Sequence, residues 1–137
     1  MLNKKQVQHL YEYTLKEIQK DLGNGITNDE QLNDYCRFLQ DFRGTHAWDK
    51  IPKLKNMESC IINLDTSNQP GSHWVALFKF KNQTYMFDSF DRKISSFKKV
   101  EIDKSVMQKP KELDCGQRCI SFLTLIESIG LNDTLKL

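Results

Sequence analysis

His73-Trp74-Val75-Ala76-Leu77-Phe78-Lys79-Phe80-Lys81-Asn82-Gln83-Thr84-Tyr85-Met86-Phe87-Asp88 is the stretch that decides the fold. Val75 to Phe80 and Thr84 to Phe87 read as two strands, joined through the polar Lys81-Asn82-Gln83 as a hairpin. In a hairpin the start of the first strand and the end of the second lie at the same edge of the sheet. His73 and Asp88 are therefore expected side by side.

Working outward, Cys60-Ile61-Ile62-Asn63-Leu64 is too short for a helix and rich in β-branched residues, so it predicts another strand. Ser, Asn, Pro and Gly between Asp65 and Gly71 predict the turn that leads back to His73. A fourth strand is expected through Val100-Glu101-Ile102. From about Lys4 to Leu22, Val7, Leu10, Tyr11, Thr14, Leu15, Ile18 and Leu22 recur at helical spacing, and Gly23-Asn24-Gly25 ends the run. Thr27-Asn28-Asp29-Glu30 has the pattern of a capping box opening a second helix, with Leu32, Tyr35, Cys36 and Leu39 inward. Arg43-Gly44-Thr45 opens a loop that runs to Pro52. Cys115 to Ile129 predicts a third helix with Cys119, Phe122, Leu123, Ile126 and Ile129 on one face and Gly130 as its C-cap. Helices at both ends and a meander between them give an α+β fold class. The expectation is one domain over 1–137, with a central, mostly antiparallel sheet packed by helices.

The chain has 137 residues, 39% of them apolar and 28% charged, which suits one compact core and not a disordered chain. Its formal charge of +2 names no partner. The segment 92–111 does hold a local surplus, with Arg92, Lys93, Lys98, Lys99, Lys104, Lys109 and Lys111 against Glu101 and Asp103. That surplus would admit a weak polyanion or DNA contact, although lysine-rich faces are commonly just solvated. No segment is apolar for long enough to span a bilayer, and Met1 to Gln6 lacks the apolar stretch of a signal peptide. A cytosolic or nuclear setting is therefore expected, in which Cys36, Cys60, Cys115 and Cys119 stay unpaired. Cys115 and Cys119 form one Cys-x3-Cys pair, but there is no second close pair to complete a structural zinc site, so no metal and no cofactor are expected.

Cys115 opens its helix after a loop containing Pro110, so its sulfur should lie near the positive helix end, which stabilises a thiolate. Gly116 follows, and a residue without a side chain would leave the nearby backbone amide open to a developing oxyanion. His73 begins a strand, where it can be held rigidly and still take a thiol proton. An imidazole also needs a partner on its other nitrogen. Asp88 is placed for that by the hairpin, with Asp91 as the competitor. His9 and His46 have no comparable setting.

These residues form a pattern. His73-Trp74, Phe87-Asp88-Ser89-Phe90, Gln108-Lys109-Pro110 and Asp114-Cys115-Gly116, in that order, resemble the adenovirus protease (adenain) family and its relatives, the SUMO-processing cysteine proteases. The likeness spans roughly 42–122, and Arg43-Gly44-Thr45 and Cys60-Ile61-Ile62-Asn63 take part in it. It implies an adenain-like cysteine protease fold and a cysteine-type endopeptidase with His73, Asp88 and Cys115 as its triad. Gln108, seven residues before the cysteine, would donate to the oxyanion. Trp74 would roof a narrow substrate groove that favours cleavage after Gly or another small residue, with Gly116 beside it.

The stretch from Asp88 to Cys115 is shorter than in the adenoviral enzyme, and 22 residues follow Cys115, so that enzyme's activating peptide and DNA are not carried over. So compact a chain looks most like the proteases of virophages and virus-like DNA transposons. The resemblance then implies a monomer that processes capsid precursor proteins during particle maturation, in the host cytoplasm or nucleus and packaged in the virion. A deSUMOylating or deubiquitinating isopeptidase, or an inactive protease-like binding module, are the alternative functions for the same residues.

Overall fold

Asn3 and Gln6 each accept the other's backbone amide at 2.9 Å and so start helix α1, Lys4–Leu22. Val7, Tyr11, Leu15 and Ile18 form its buried face, and Gly23 closes it at φ 76, a conformation that costs glycine little. A computed structural model describes residues 1–64, 73–92 and 97–137, and the turn expected over 65–71 lies outside them, as does Lys93. The second helix, α2, is Asp29–Tyr35, followed by a 3-10 turn over Cys36–Phe38. Its capping box is Asn28 with Gln31, one residue later than expected. Thr27 cannot serve as the cap, because it is buried and its carbonyl accepts the Trp74 indole N–H at 3.0 Å.

Five strands follow: β1 Phe42–Ala47, β2 Ser59–Asn63, β3 Trp74–Phe80, β4 Gln83–Phe87 and β5 Lys98–Lys99. They lie in chain order, β1-β2-β3-β4-β5. The central pairs are antiparallel and both outer pairs are parallel, so the sheet is mixed rather than mostly antiparallel. The hairpin is as expected except at its turn. Lys81 takes a left-handed backbone (φ 56), Lys81 and Asn82 make the connection, and Gln83 already belongs to β4.

Two strands depart from the reading of the sequence. Where a loop was expected at Arg43-Gly44-Thr45, β1 pairs with β2, with a register irregularity between Phe42 and Thr45 around Gly44 at φ 87. All but Arg43 in β1 are half-buried, so the strand lacks the alternation that would have marked it. The fourth strand, expected at Val100–Ile102, is instead Lys98–Lys99. Val100 still donates to Met86 O at 2.9 Å, but the chain then leaves the sheet. Val100 and Ile102 are apolar because they enter the helix-side core.

The strands' period of two divides the core. Ile61, Trp74, Ala76, Phe78 and Phe87 face the helices, packing with Tyr11 and with Phe122 of helix α3, Cys115–Ile129. Cys60, Ile62, Val75, Leu77 and Met86 face the other way and are covered by Leu54, with Trp48 and Ile51 partly buried against them. The α3 helix is not one-faced as expected. From Cys115 to Leu123 every residue is buried, because α1 lies along one side and β3 along another. A short helix, α4 (Leu131–Thr134), follows Gly130, whose φ of 86 makes it the C-cap of α3. The result is a single compact α+β domain. Among the described residues, no helix is long and apolar enough to cross a membrane.

Candidate active site

The register of the central hairpin brings two sequence-distant side chains together. Ala76 lies opposite Phe87, so the rows beyond the pair carry Asp88 towards the end of β3 where His73 sits. His73 Nε2 and Asp88 Oδ1 are 2.7 Å apart, and both residues are buried. Asp91 does not reach the imidazole. Its backbone turns through φ 59, and its carboxylate pairs with Lys99 at 3.0 Å.

Asp88 is held on every side. Its Oδ1 also accepts the Phe90 amide at 2.9 Å, and its Oδ2 accepts Arg92 Nε at 3.0 Å. Burial favours the neutral acid, but the hydrogen bonds from His73 and Phe90 and the charges of His73 and Arg92 outweigh it and lower the carboxyl's pKa. The imidazole behaves in the complementary way. Burial disfavours its charged form, yet hydrogen bonds with Asp88 and Cys115, and their charges, raise its pKa from 6.5 to about 9. With Nε2 occupied by Asp88, Nδ1 is the nitrogen left for the thiol. The Phe90 ring lies against the imidazole, with centroids 4.9 Å apart.

Cys115 is the first residue of α3, and its Sγ accepts the Trp74 backbone N–H at 3.4 Å. Asp114, at the N-cap position, does not cap the helix with its side chain. Its carboxylate is drawn away by Arg118 Nε at 3.0 Å and Gln19 Nε2 at 2.8 Å. The first-turn amides of α3 are thus left uncapped beside the sulfur, where they favour negative charge. The other three cysteines are different. Burial pushes Cys36 and Cys60 up to about 12 and Cys119 well above its ordinary value, so these thiols stay protonated.

Gln108 is buried, and its carboxamide is fixed at both ends. Oε1 accepts from Ser89 Oγ at 2.6 Å, and Nε2 donates to Glu112 O at 2.5 Å. No acceptor among the described residues takes the amide's second N–H, and Gln108 lines a cleft of about 210 Å³ together with His73, Trp74 and Cys115. Ile26 and Leu113, 70% and 52% exposed, form apolar parts of its rim. Trp74 is buried with its indole tied to Thr27, and it forms part of the wall.

Gly116 has a packing reason that the sequence reading missed. A Cβ there would lie 2.1 Å from Thr27 Oγ1 and 3.0 Å from Leu32 Cδ2, so only glycine lets α3 start this close to the 26–32 segment. The basic segment also reads differently. Arg92 is committed to Asp88, and Lys99 to Asp91 and Glu101, while Lys98, Lys104, Lys109 and Lys111 are exposed. Among the described residues, no three His, Cys, Asp or Glu side chains converge as a metal site would require.

Comparison of the chain with protein-family models and with curated protein sequences finds no match to either.

Several residues around the cleft were not singled out in the sequence. Ser89 lay inside a recognised run without a role, yet it bonds Gln108. Arg92 reads in the sequence as one charge of the basic segment, and only its spacing of four from Asp88 hints at the ion pair. Arg118 is buried and binds Asp114, Val106 O at 3.0 Å and Glu112 Oε1 at 3.4 Å. No sequence signal marks it beyond the same spacing of four from Asp114.

Proposed function

We propose that the chain is a cysteine endopeptidase in which Cys115 is the nucleophile, His73 the base and acid, Asp88 the group that orients the imidazole, and Gln108 an oxyanion donor. The observation that carries this reading is the buried His73–Asp88 pair at 2.7 Å beside Cys115 at an uncapped helix start, with His73, Cys115 and Gln108 lining one cleft. A thiol held near an imidazolium and amide donors has what thiolate chemistry requires.

In that reading the Cys115 thiolate attacks the scissile carbonyl, forming a C–S bond and placing negative charge on the carbonyl oxygen. The free N–H of Gln108 and the first-turn amides of α3 meet that charge. His73 then gives its proton to the leaving amine, the C–N bond breaks, and a thioester remains. Water, deprotonated by His73, attacks the thioester, and the carboxylic acid leaves as the thiol is restored. Asp88 keeps its charge throughout and stabilises the imidazolium.

The substrate class follows the resemblance to adenovirus proteases: capsid precursor proteins, cut after Gly or a small residue, by a monomer acting in the infected cell and packaged in the particle. The modest cleft and the rigid Trp74 wall support a preference for small residues at the scissile bond. The test uses purified protein, a viral capsid precursor protein as substrate and mass spectrometry of the fragments. Cleavage that needs Cys115, at one or a few sites following small residues, is expected. No cleavage, or cleavage undiminished in Cys115→Ala, rejects the reading.

A further inference from the structure

We propose that Ser89 is a positioning residue that sets the Gln108 carboxamide for catalysis, an inference that rests on the endopeptidase reading above. Ser89 is fully buried and follows directly on Asp88. Its main-chain carbonyl accepts the Gln108 amide at 2.8 Å, and its hydroxyl donates to Gln108 Oε1 at 2.6 Å. Backbone and side chain of one serine therefore hold backbone and side chain of one glutamine.

The orientation this imposes has a chemical consequence. A carboxamide has a donor end and an acceptor end, and the wrong end turned towards an oxyanion would repel it. Glu112 O can only accept, so the Gln108 nitrogen must lie on that side. The Ser89 proton then belongs on Oε1, which ties up the acceptor end of the carboxamide. One N–H is used on Glu112 O, and no acceptor among the described residues takes the other. Removal of the hydroxyl leaves a buried acceptor unmatched, and the side chain gains a reason to turn.

The position of Ser89 gives the arrangement a wider meaning. Asp88 holds His73, Phe90 packs on the imidazole and donates its amide to Asp88, and Ser89 between them holds Gln108. Three consecutive residues at the end of β4 thus fix the base and the oxyanion donor by separate contacts. The two functions are separable by experiment, because Ser89 touches Gln108 whereas Asp88 touches His73.

The test is a double-mutant cycle on Ser89→Ala and Gln108→Ala, read by peptide turnover and by the pH profile of iodoacetamide alkylation at Cys115. Ser89→Ala is expected to lower kcat by about tenfold or more with KM changed by less than about twofold. Its alkylation profile should match wild type, since alkylation develops no oxyanion. The double variant should be no slower than Gln108→Ala alone, and Ser89→Thr, which keeps the hydroxyl, should recover most of the loss. Where Ser89→Ala fails to fold by circular dichroism, Ser89→Gly takes its place in the cycle. Wild-type kcat in the Ser89 variant, additive losses in the double variant, or a displaced alkylation profile each overturn the proposal. If Cys115→Ala and Gln108→Ala leave turnover intact, the endopeptidase reading itself is lost and Ser89 with it. Loss in those two variants with an unaffected Ser89→Ala removes the Ser89 role alone.

Discussion

Asp88→Asn removes a charge and keeps the shape, so it isolates what the carboxylate does for His73. In the native protein the imidazole's pKa stands at about 9 against an ordinary 6.5. At roughly 1.4 kcal/mol per unit, that difference is about 3 kcal/mol of extra stability for the imidazolium. Burial alone would push the value down, so the contacts with Asp88 and Cys115 supply more than the net rise. Asparagine takes away the Asp88 charge and leaves the burial. His73 should then titrate at least one unit lower, and alkylation of Cys115 at neutral pH should slow, because the imidazolium that partners the thiolate is less stable.

The sign for stability follows from the same value. A group whose pKa is raised on folding contributes fully below its unfolded value, near 6.5, and that contribution is lost as pH rises through about 9. Folding free energy should therefore decline between those limits in wild type, and this component should shrink in Asp88→Asn. The assay is NMR titration of the His73 ring in both proteins, with urea denaturation and alkylation measured alongside. Asp91→Asn is the control, since Asp91 pairs with Lys99 and not with the imidazole. A native His73 that titrates near 6.5 would refute the reasoning. So would an effect confined to Asp91→Asn.

Four further outcomes are expected. Cys115→Ala should abolish turnover with the fold retained, whereas Cys119→Ala should keep most activity, measured with one peptide substrate and circular dichroism. Gln108→Ala should lower kcat by about a hundred- to a thousandfold, as loss of one oxyanion donor does, with little change in Cys115 alkylation. Gly116→Ala should destabilise by about 2 kcal/mol through overpacking. Thr27→Ala should relieve much of that in a double variant, because it removes the nearest clash, the buried Thr27 Oγ1. Arg118→Met should cost about 3 kcal/mol or more in urea denaturation, since it strips the buried Asp114 carboxylate of its charged partner.

The parts of the structure that were legible in the sequence are those governed by local rules. The α1 face and its glycine stop, the central hairpin and the α3 boundaries follow from periodicity and turn chemistry, and they carry His73, Asp88 and Cys115 with them. The edges of the sheet were not legible. Strand β1 pairs through an irregular register with almost every residue half-buried, so nothing in its pattern distinguishes it from a loop. The pair Lys98–Lys99 is too short and too polar to announce a strand, and the apolar Val100 and Ile102 beside it belong to the core. The Thr27 capping motif misled because burial overrode it: a residue whose carbonyl is bound to Trp74 and whose hydroxyl packs under α3 cannot also sit at a solvent-facing helix start.

Asp114 shows why the site itself needed three dimensions. Aspartate just before a helix is normally expected to cap it, and such a cap would place a carboxylate next to the Cys115 sulfur and neutralise the helix end. Arg118, one turn on, and Gln19, from α1, instead hold both oxygens of that carboxylate away from the first-turn amides. Neither contact can be read locally, since one crosses from another helix and the other depends on Arg118 being buried. The same arginine reaches Glu112, whose carbonyl fixes the Gln108 amide. One buried cation thus holds Asp114 off the first-turn amides of α3 and ties down the loop that carries Gln108. In the endopeptidase reading, nucleophile and oxyanion donor are then coupled through Arg118 rather than through any direct contact between them.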